Sequence, residues 1–257
     1  MPHGFPSSAR LLAALVLLGL AGSGRPPLAA APAVEHVVRG RYVEVRGQVA
    51  APWVEQAAHL GDLLATTLAA RWKRDPRGGR GPLLLRLHPT RDAFVAALPR
   101  VAPRHLVGAG GWTDADGARS DVWLQGHAFD TRRLVLHELT HQVQSRCQDA
   151  AQRGRGPRWW REGLAETLGH HARTSAGTWR LAALDVVQAF DENRQAAARV
   201  AAAGYDPLER VMSAEPTDYV DGLALVGGLY RSSDPEWTRV LADFEEEVLV
   251  RGAGTEA

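Results

Sequence analysis

The run Leu136-His137-Glu138-Leu139-Thr140-His141-Gln142 sets the reading of the whole chain. On a helix, positions i and i+4 project from one face, so His137 and His141 can present both imidazoles to a single metal ion. Glu138 stands beside them, placed to take a proton from a water at that ion. The preceding residues carry a helix start, since Asp130 or Thr131 can cap free backbone N–H groups. Leu134, Val135, Leu136, Leu139 and Val143 add apolar surface broad enough to bury the helix on most sides, which would keep two ligands in register.

A catalytic zinc takes three protein ligands and leaves a fourth position for water. Downstream lies Pro157-Arg158-Trp159-Trp160-Arg161-Glu162-Gly163-Leu164-Ala165-Glu166. Proline near a helix start, then Trp160, Leu164 and Leu168 at four-residue steps, reads as an amphipathic helix. Glu162 and Glu166 are four apart and share a face. Glu162 is the expected third ligand, and Gly163 is expected to let the two helices approach closely. Glu166, one turn on, is expected to accept the second N–H of a ligating histidine and fix its tautomer. The same glutamates read alternatively as a solvated helix face. Cys147 is a rival ligand, because a thiolate binds zinc well. In the pattern that would use it, however, a glycine turns the chain where Gln144 stands, and a continuing helix carries Cys147 off the His137/His141 face. It reads better as a small buried residue near the helix end. His170 and His171 are alternative ligands too, or they end the Glu162 helix against its negative pole.

Taken together, His137-Glu138-Leu139-Thr140-His141 followed by Trp159/Trp160…Glu162-Gly163-Leu164-Ala165-Glu166 resembles the gluzincin, or peptidase MA-like, metallopeptidases. That broad group includes thermolysin-like enzymes and aminopeptidases. The nearest likeness is to small secreted bacterial proteins of this kind. It extends upstream to Pro89-Thr90…Phe94 and to Gly108–Gln125, covering roughly residues 80–170. The resemblance implies an α+β fold: a zincin-like lobe, with a small mixed sheet and the metal helix, followed by a mostly helical lobe. It implies a zinc metallopeptidase in which His137, His141 and Glu162 hold Zn²⁺ and Glu138 is the general base. Such enzymes usually draw an oxyanion donor, Tyr or His, from the lobe after the glutamate ligand. Tyr205, Tyr219 and Tyr230 are the candidates. Tyr219 is favoured, because Thr217 or Asp218 can cap a helix starting there; it could instead belong to an apolar stripe with Leu223, Val226 and Tyr230. The Gly108–Trp112 stretch lacks the glutamate by which aminopeptidases hold a substrate amine, which points away from an amine-reading exopeptidase. Two other functions stay open: a peptidase-like binding protein without turnover, and a zinc hydrolase of a non-peptide substrate.

Composition sets further bounds. Arg10, the apolar run Leu11–Ala21 and the alanine-rich stretch to Ala33 read as a signal peptide over 1–33, too short in its apolar core to span a bilayer. A secreted or periplasmic protein follows, without stable membrane insertion. The chain has 30 Lys and Arg against 29 Asp and Glu. Leaving out residues 1–33 removes Arg10 and Arg25 and no acid, tipping the balance to one net negative charge. That argues against nucleic acid as a partner and leaves a peptide or protein substrate. One cysteine excludes an intramolecular disulfide, so stability must come from packing and from any bound metal.

The rest reads as two regions. Residues 34–176 form the catalytic lobe: a strand at Tyr42–Gly47, a long helix from Trp53 to Trp72, and a central strand at Leu83–His88. A short helix opens at Thr90, and a hairpin spans Gly110–Thr113 and Asp121–Gln125 with its turn at Asp116-Gly117. The strand just before the metal helix is expected to be the sheet edge to which an extended peptide adds. Residues 177–257 read as nearly all helical, through Leu181–Ala203, Tyr219–Tyr230 and Pro235–Val250, with the active site in the cleft between lobes.

Overall fold

The computed structural model describes residues 34–99, 109–149, 156–169, 172–175, 178–181, 198–204 and 219–251. The signal-peptide reading of 1–33, His170, His171 and Tyr205 lie outside them. Val34–Ala257 forms one compact unit of α+β architecture.

Five strands make a mixed sheet: β1 (His36–Arg39), β2 (Val43–Gly47), β3 (Leu83–His88), β4 (Gly111–Thr113) and β5 (Arg119–Trp123), in the order β1-β2-β3-β5-β4. The β2/β3 and β3/β5 pairs are parallel, and the two outer pairs are antiparallel. In β3, Leu83, Leu85 and Leu87 alternate with less buried residues, as a strand with one core face must. That face meets helices α1 (Ala51–Trp72) and α3 (Ala128–Cys147) in a core with Val43, Val45 and Val122. On the other face, α2 (Arg91–Ala97) brings Phe94 against His88. Thr90 caps α2 by accepting the Ala93 N–H at 3.2 Å.

Three expectations need correction. The strand preceding α3, β5, is interior, held between β3 and β4; among the described strands the edge belongs to β4. A hairpin fixes which strands are neighbours, but β5 also pairs in parallel with β3, and nothing local in the sequence announces that. Helix α3 starts at Ala128, ahead of Asp130 and Thr131, and has no side-chain cap at its start. Thr131 is buried inside the first turn, where its hydroxyl accepts the Gln125 N–H at 2.9 Å. Lastly, Thr178–Leu181 is a strand, β7, paired antiparallel with β6 (Ala172–Ser175), at the start of the region expected to be nearly all helical. The β-branched and aromatic residues Thr174, Thr178 and Trp179 favour that hairpin. Residues 198–203 are helical.

Helix α4 (Arg158–Gly169) packs on α3 and on α5 (Tyr219–Arg231), and α6 (Pro235–Glu246) follows, ending in a π-helical turn at Glu247–Arg251. The close approach made by Gly163 is to α5 rather than to α3. A Cβ on Gly163 would stand 2.3 Å from the Gly222 carbonyl oxygen. Glycine at this point lets two backbones touch. Between α3 and α4 that role falls to Gly169, whose Cβ would meet Arg133 at 3.0 Å. Among the described residues no helix is long and apolar enough to cross a membrane.

Candidate metal centre

Helix α3 is anchored at both ends of its working face. Leu136, Leu139 and Val143 are fully buried, and near the C-terminus the Arg146 guanidinium donates to the carbonyls of Gly117 at 2.8 Å, Gly81 at 2.8 Å and Ala118 at 3.2 Å. A helix tied this way cannot rotate, so the imidazoles of its middle turns stay aimed. His137 and His141 bring their Nε2 atoms to 3.1 Å of each other. From α4, Glu162 brings Oε2 to 3.6 Å from His137 Nε2 and 3.3 Å from His141 Nε2.

These three atoms form a triangle with a chemical meaning. Ligands at about 2.0–2.1 Å from a tetrahedral ion stand about 3.3 Å apart. The observed edges bracket that value, so two imidazole nitrogens and one carboxylate oxygen fit a divalent ion with its fourth position open. His137 registers the same demand for positive charge. Burial works to lower its pKa, but the hydrogen bonds to Glu162 and Glu166 and the charge of Glu138 outweigh that and lift it to about 10. Burial pushes Glu162 up, and the two imidazoles overcome it, holding the carboxyl well below the usual carboxylate range.

The outer nitrogens of both rings are engaged. His137 Nδ1 lies 3.2 Å from Glu166 Oε1. Glu166 in turn receives Arg133 Nη1 on both oxygens, at 3.0 and 2.8 Å. His141 Nδ1 is 3.1 Å from Gln144 Oε1, and Gln144 Nε2 donates to the Arg161 carbonyl at 3.3 Å. Such contacts fix ring orientation and tautomer. Arg133 and Gln144 were missed in the sequence, although their spacing offered them: Arg133 is four residues before His137, and Gln144 three after His141.

Glu138, buried beside these three residues, is held from β4 and β5. The Thr113 hydroxyl lies 2.7 Å from Glu138 Oε2, and Ser120 Oγ 3.2 Å from the Glu138 carbonyl oxygen. Gly111 makes room for the carboxylate, since a Cβ there would stand 2.7 Å from Glu138 Oε1. His137, Glu138, His141, Glu162 and Glu166 face one cavity of about 600 Å³, which β4 also lines through Gly111, Trp112 and Thr113.

Of the other candidates, Cys147 is the buried last residue of α3, its thiol pushed up to about 12 by burial, and it lines no part of this cavity. Tyr219 is the first residue of α5, and its side chain lies outside the described ones. Tyr230 is buried away from the cavity, its hydroxyl on Glu245 and its ring under the Arg71 guanidinium at 4.4 Å. Compared with protein-family models and with curated proteins, the sequence returns no match.

Proposed function

We propose that the protein is a zinc-dependent peptidase of the gluzincin type, built on a zincin-like fold and acting outside the cytoplasm. The observation that carries this reading is the triangle of His137, His141 and Glu162 ligand atoms, with edges of 3.1, 3.3 and 3.6 Å, beside the Glu138 carboxylate. Two imidazoles and one carboxylate with a position open is the donor set of a hydrolytic zinc, rather than of a closed structural site. When bound, the ion supplies a Lewis acid that brings a water's pKa down to about 7 and polarises a carbonyl.

The chain's own groups do the rest. Glu138 accepts a proton as water adds to the scissile carbonyl carbon, and returns it to the nitrogen as the C–N bond breaks. Thr113 holds the Glu138 carboxylate from one side. Glu166 and Gln144 keep the two imidazoles turned toward the ion. Among the described residues strand β4 pairs with β5 on one side only, so its other edge along the cavity offers backbone groups to an extended peptide. Tyr219, at the start of the helix packed on α4, is the proposed oxyanion donor, Tyr230 being committed elsewhere.

The test is a peptide library incubated with zinc-loaded protein, chelated protein and the Glu138→Gln variant. Cleavage is expected from the first alone, with zinc retained at one equivalent in the variant. Tyr219→Phe in the same assay should turn over more slowly with zinc unchanged. Absence of cleavage by the zinc-loaded protein, or equal cleavage after chelation, overturns the reading.

A further inference from the structure

Two guanidinium groups line the cavity, and they differ in what they face. Arg133 is spoken for by its two bonds to Glu166. Arg161 has no carboxylate within ion-pair distance among the described residues, and its Nε is buried without a hydrogen-bond partner. Its place is nonetheless fixed. It precedes Glu162 on α4, and its carbonyl accepts the same Gln144 side chain that contacts His141.

The acids of the cavity are all engaged. Glu162 lies on the two imidazoles, Glu138 takes the Thr113 hydroxyl, and Glu166 takes Arg133. Asp114 Oδ1 accepts the backbone N–H groups of Ala118 at 2.6 Å and Arg119 at 3.1 Å. The cavity thus holds one cation that no acid among the described residues answers. A buried N–H left without an acceptor is costly, and the planar fork of arginine matches a carboxylate in two bonds.

We propose that Arg161 binds a carboxylate of the ligand, so that the cavity selects peptides carrying an acidic side chain or a free C-terminus close to the metal. The substrate class rests on the peptidase reading; the binding itself does not require turnover. Calorimetry on the zinc-loaded Glu138→Gln protein separates the two. Three peptides of equal length serve as probes: one with an acidic side chain and an amidated C-terminus, one neutral with a free C-terminus, and one neutral and amidated. One of the first two is expected to bind about tenfold to a hundredfold more tightly than the third. Adding Arg161→Gln should bring it down to the third, while Arg161→Lys keeps part of the preference and both retain one zinc. Should Arg161→Gln lose zinc, Arg161→Met carries the same comparison. Equal affinity for all three peptides, binding of none, or a preference that survives loss of Arg161 overturns the proposal; the last would put the carboxylate on the metal. A preference that follows Arg161 in a protein that cleaves nothing sinks the peptidase reading and leaves the carboxylate site standing.

Discussion

At Glu138 a chain of hydrogen bonds runs from Gln142 through the Ser120 and Thr113 hydroxyls to the carboxylate. Gln142 Nε2 donates to Ser120 Oγ at 2.6 Å, which leaves the Ser120 hydrogen for Thr113 Oγ at 2.7 Å or the Glu138 carbonyl at 3.2 Å. Thr113 Oγ lies within 3.0 Å of Ser120 Oγ, the Glu138 carbonyl and Glu138 Oε2. Of these three acceptors the carboxylate is the charged one and binds a donor most strongly, so the Thr113 hydrogen goes to Glu138 Oε2. A hydrogen bond to a charged group contributes roughly 1.5–3 kcal/mol, so this bond sets the rotamer of the carboxylate. Thr113→Val is therefore expected to lower kcat about tenfold or more, with zinc stoichiometry unchanged, whereas Thr113→Ser keeps most of the rate. Steady-state kinetics on a cleaved peptide checks it. An unchanged kcat in the valine variant would mean that Thr113 does not orient the base.

At the scale of elements, the register of α4 on its neighbours decides where Glu162 points, and glycines set that register. The Gly163 Cβ position falls 2.3 Å from Gly222 O and 2.7 Å from Gly222 C, both backbone atoms that cannot swing aside. Gly163→Ala should thus force α4 and α5 apart, costing about 1–3 kcal/mol of stability and weakening zinc binding through the displaced Glu162. Gly228, also on α5, has nothing within 4 Å of a Cβ, so Gly228→Ala should leave zinc binding alone and stabilise by up to about 1 kcal/mol. Urea midpoints and zinc titrations of the two variants give the comparison; equal behaviour would remove the packing argument. The contrast also marks the limit of the sequence. Helical spacing converts sequence distance directly into a shared face, which is why His137 with His141, and Glu162 with Glu166, can be placed together from the chain alone. Which neighbour Gly163 meets depends on how three helices stack, and its flanking residues carry no trace of that. Thr113 and Ser120 reach Glu138 only because β4 pairs with β5 and lies along α3. Sheet order, and with it the identity of the edge strand, stays hidden for the same reason.

Over the whole molecule, the C-terminal helices are tied back to the sheet lobe by a cluster from three helices, α1, α5 and α6. Arg71, on the last turn of α1, donates Nε to Glu245 Oε2 on α6 at 2.8 Å, and the Tyr230 hydroxyl of α5 donates to the other oxygen. Tyrosine and glutamate here are almost wholly buried. Burial raises the Tyr230 pKa well above its ordinary value, and the charge of Glu245 raises it further, with Arg71 opposing. A raised folded-state pKa stabilises fully below the unfolded value, about 10 for tyrosine, and the contribution is lost as pH rises toward the folded value. In that window the unfolded chain releases a proton that the native protein keeps. Unfolding free energy should then fall by about 1.4 kcal/mol per pH unit from this residue alone. Tyr230→Phe is expected to cost about 1–2 kcal/mol at pH 8 through the lost hydrogen bond to a charged group, and to unfold with a shallower pH dependence above pH 10. Urea midpoints of both proteins between pH 8 and 11 provide the measurement. Parallel curves would mean that the Tyr230 hydroxyl ionises alike in the folded and unfolded chains, and that the helices are held to α1 by the Arg71–Glu245 pair and apolar packing without it.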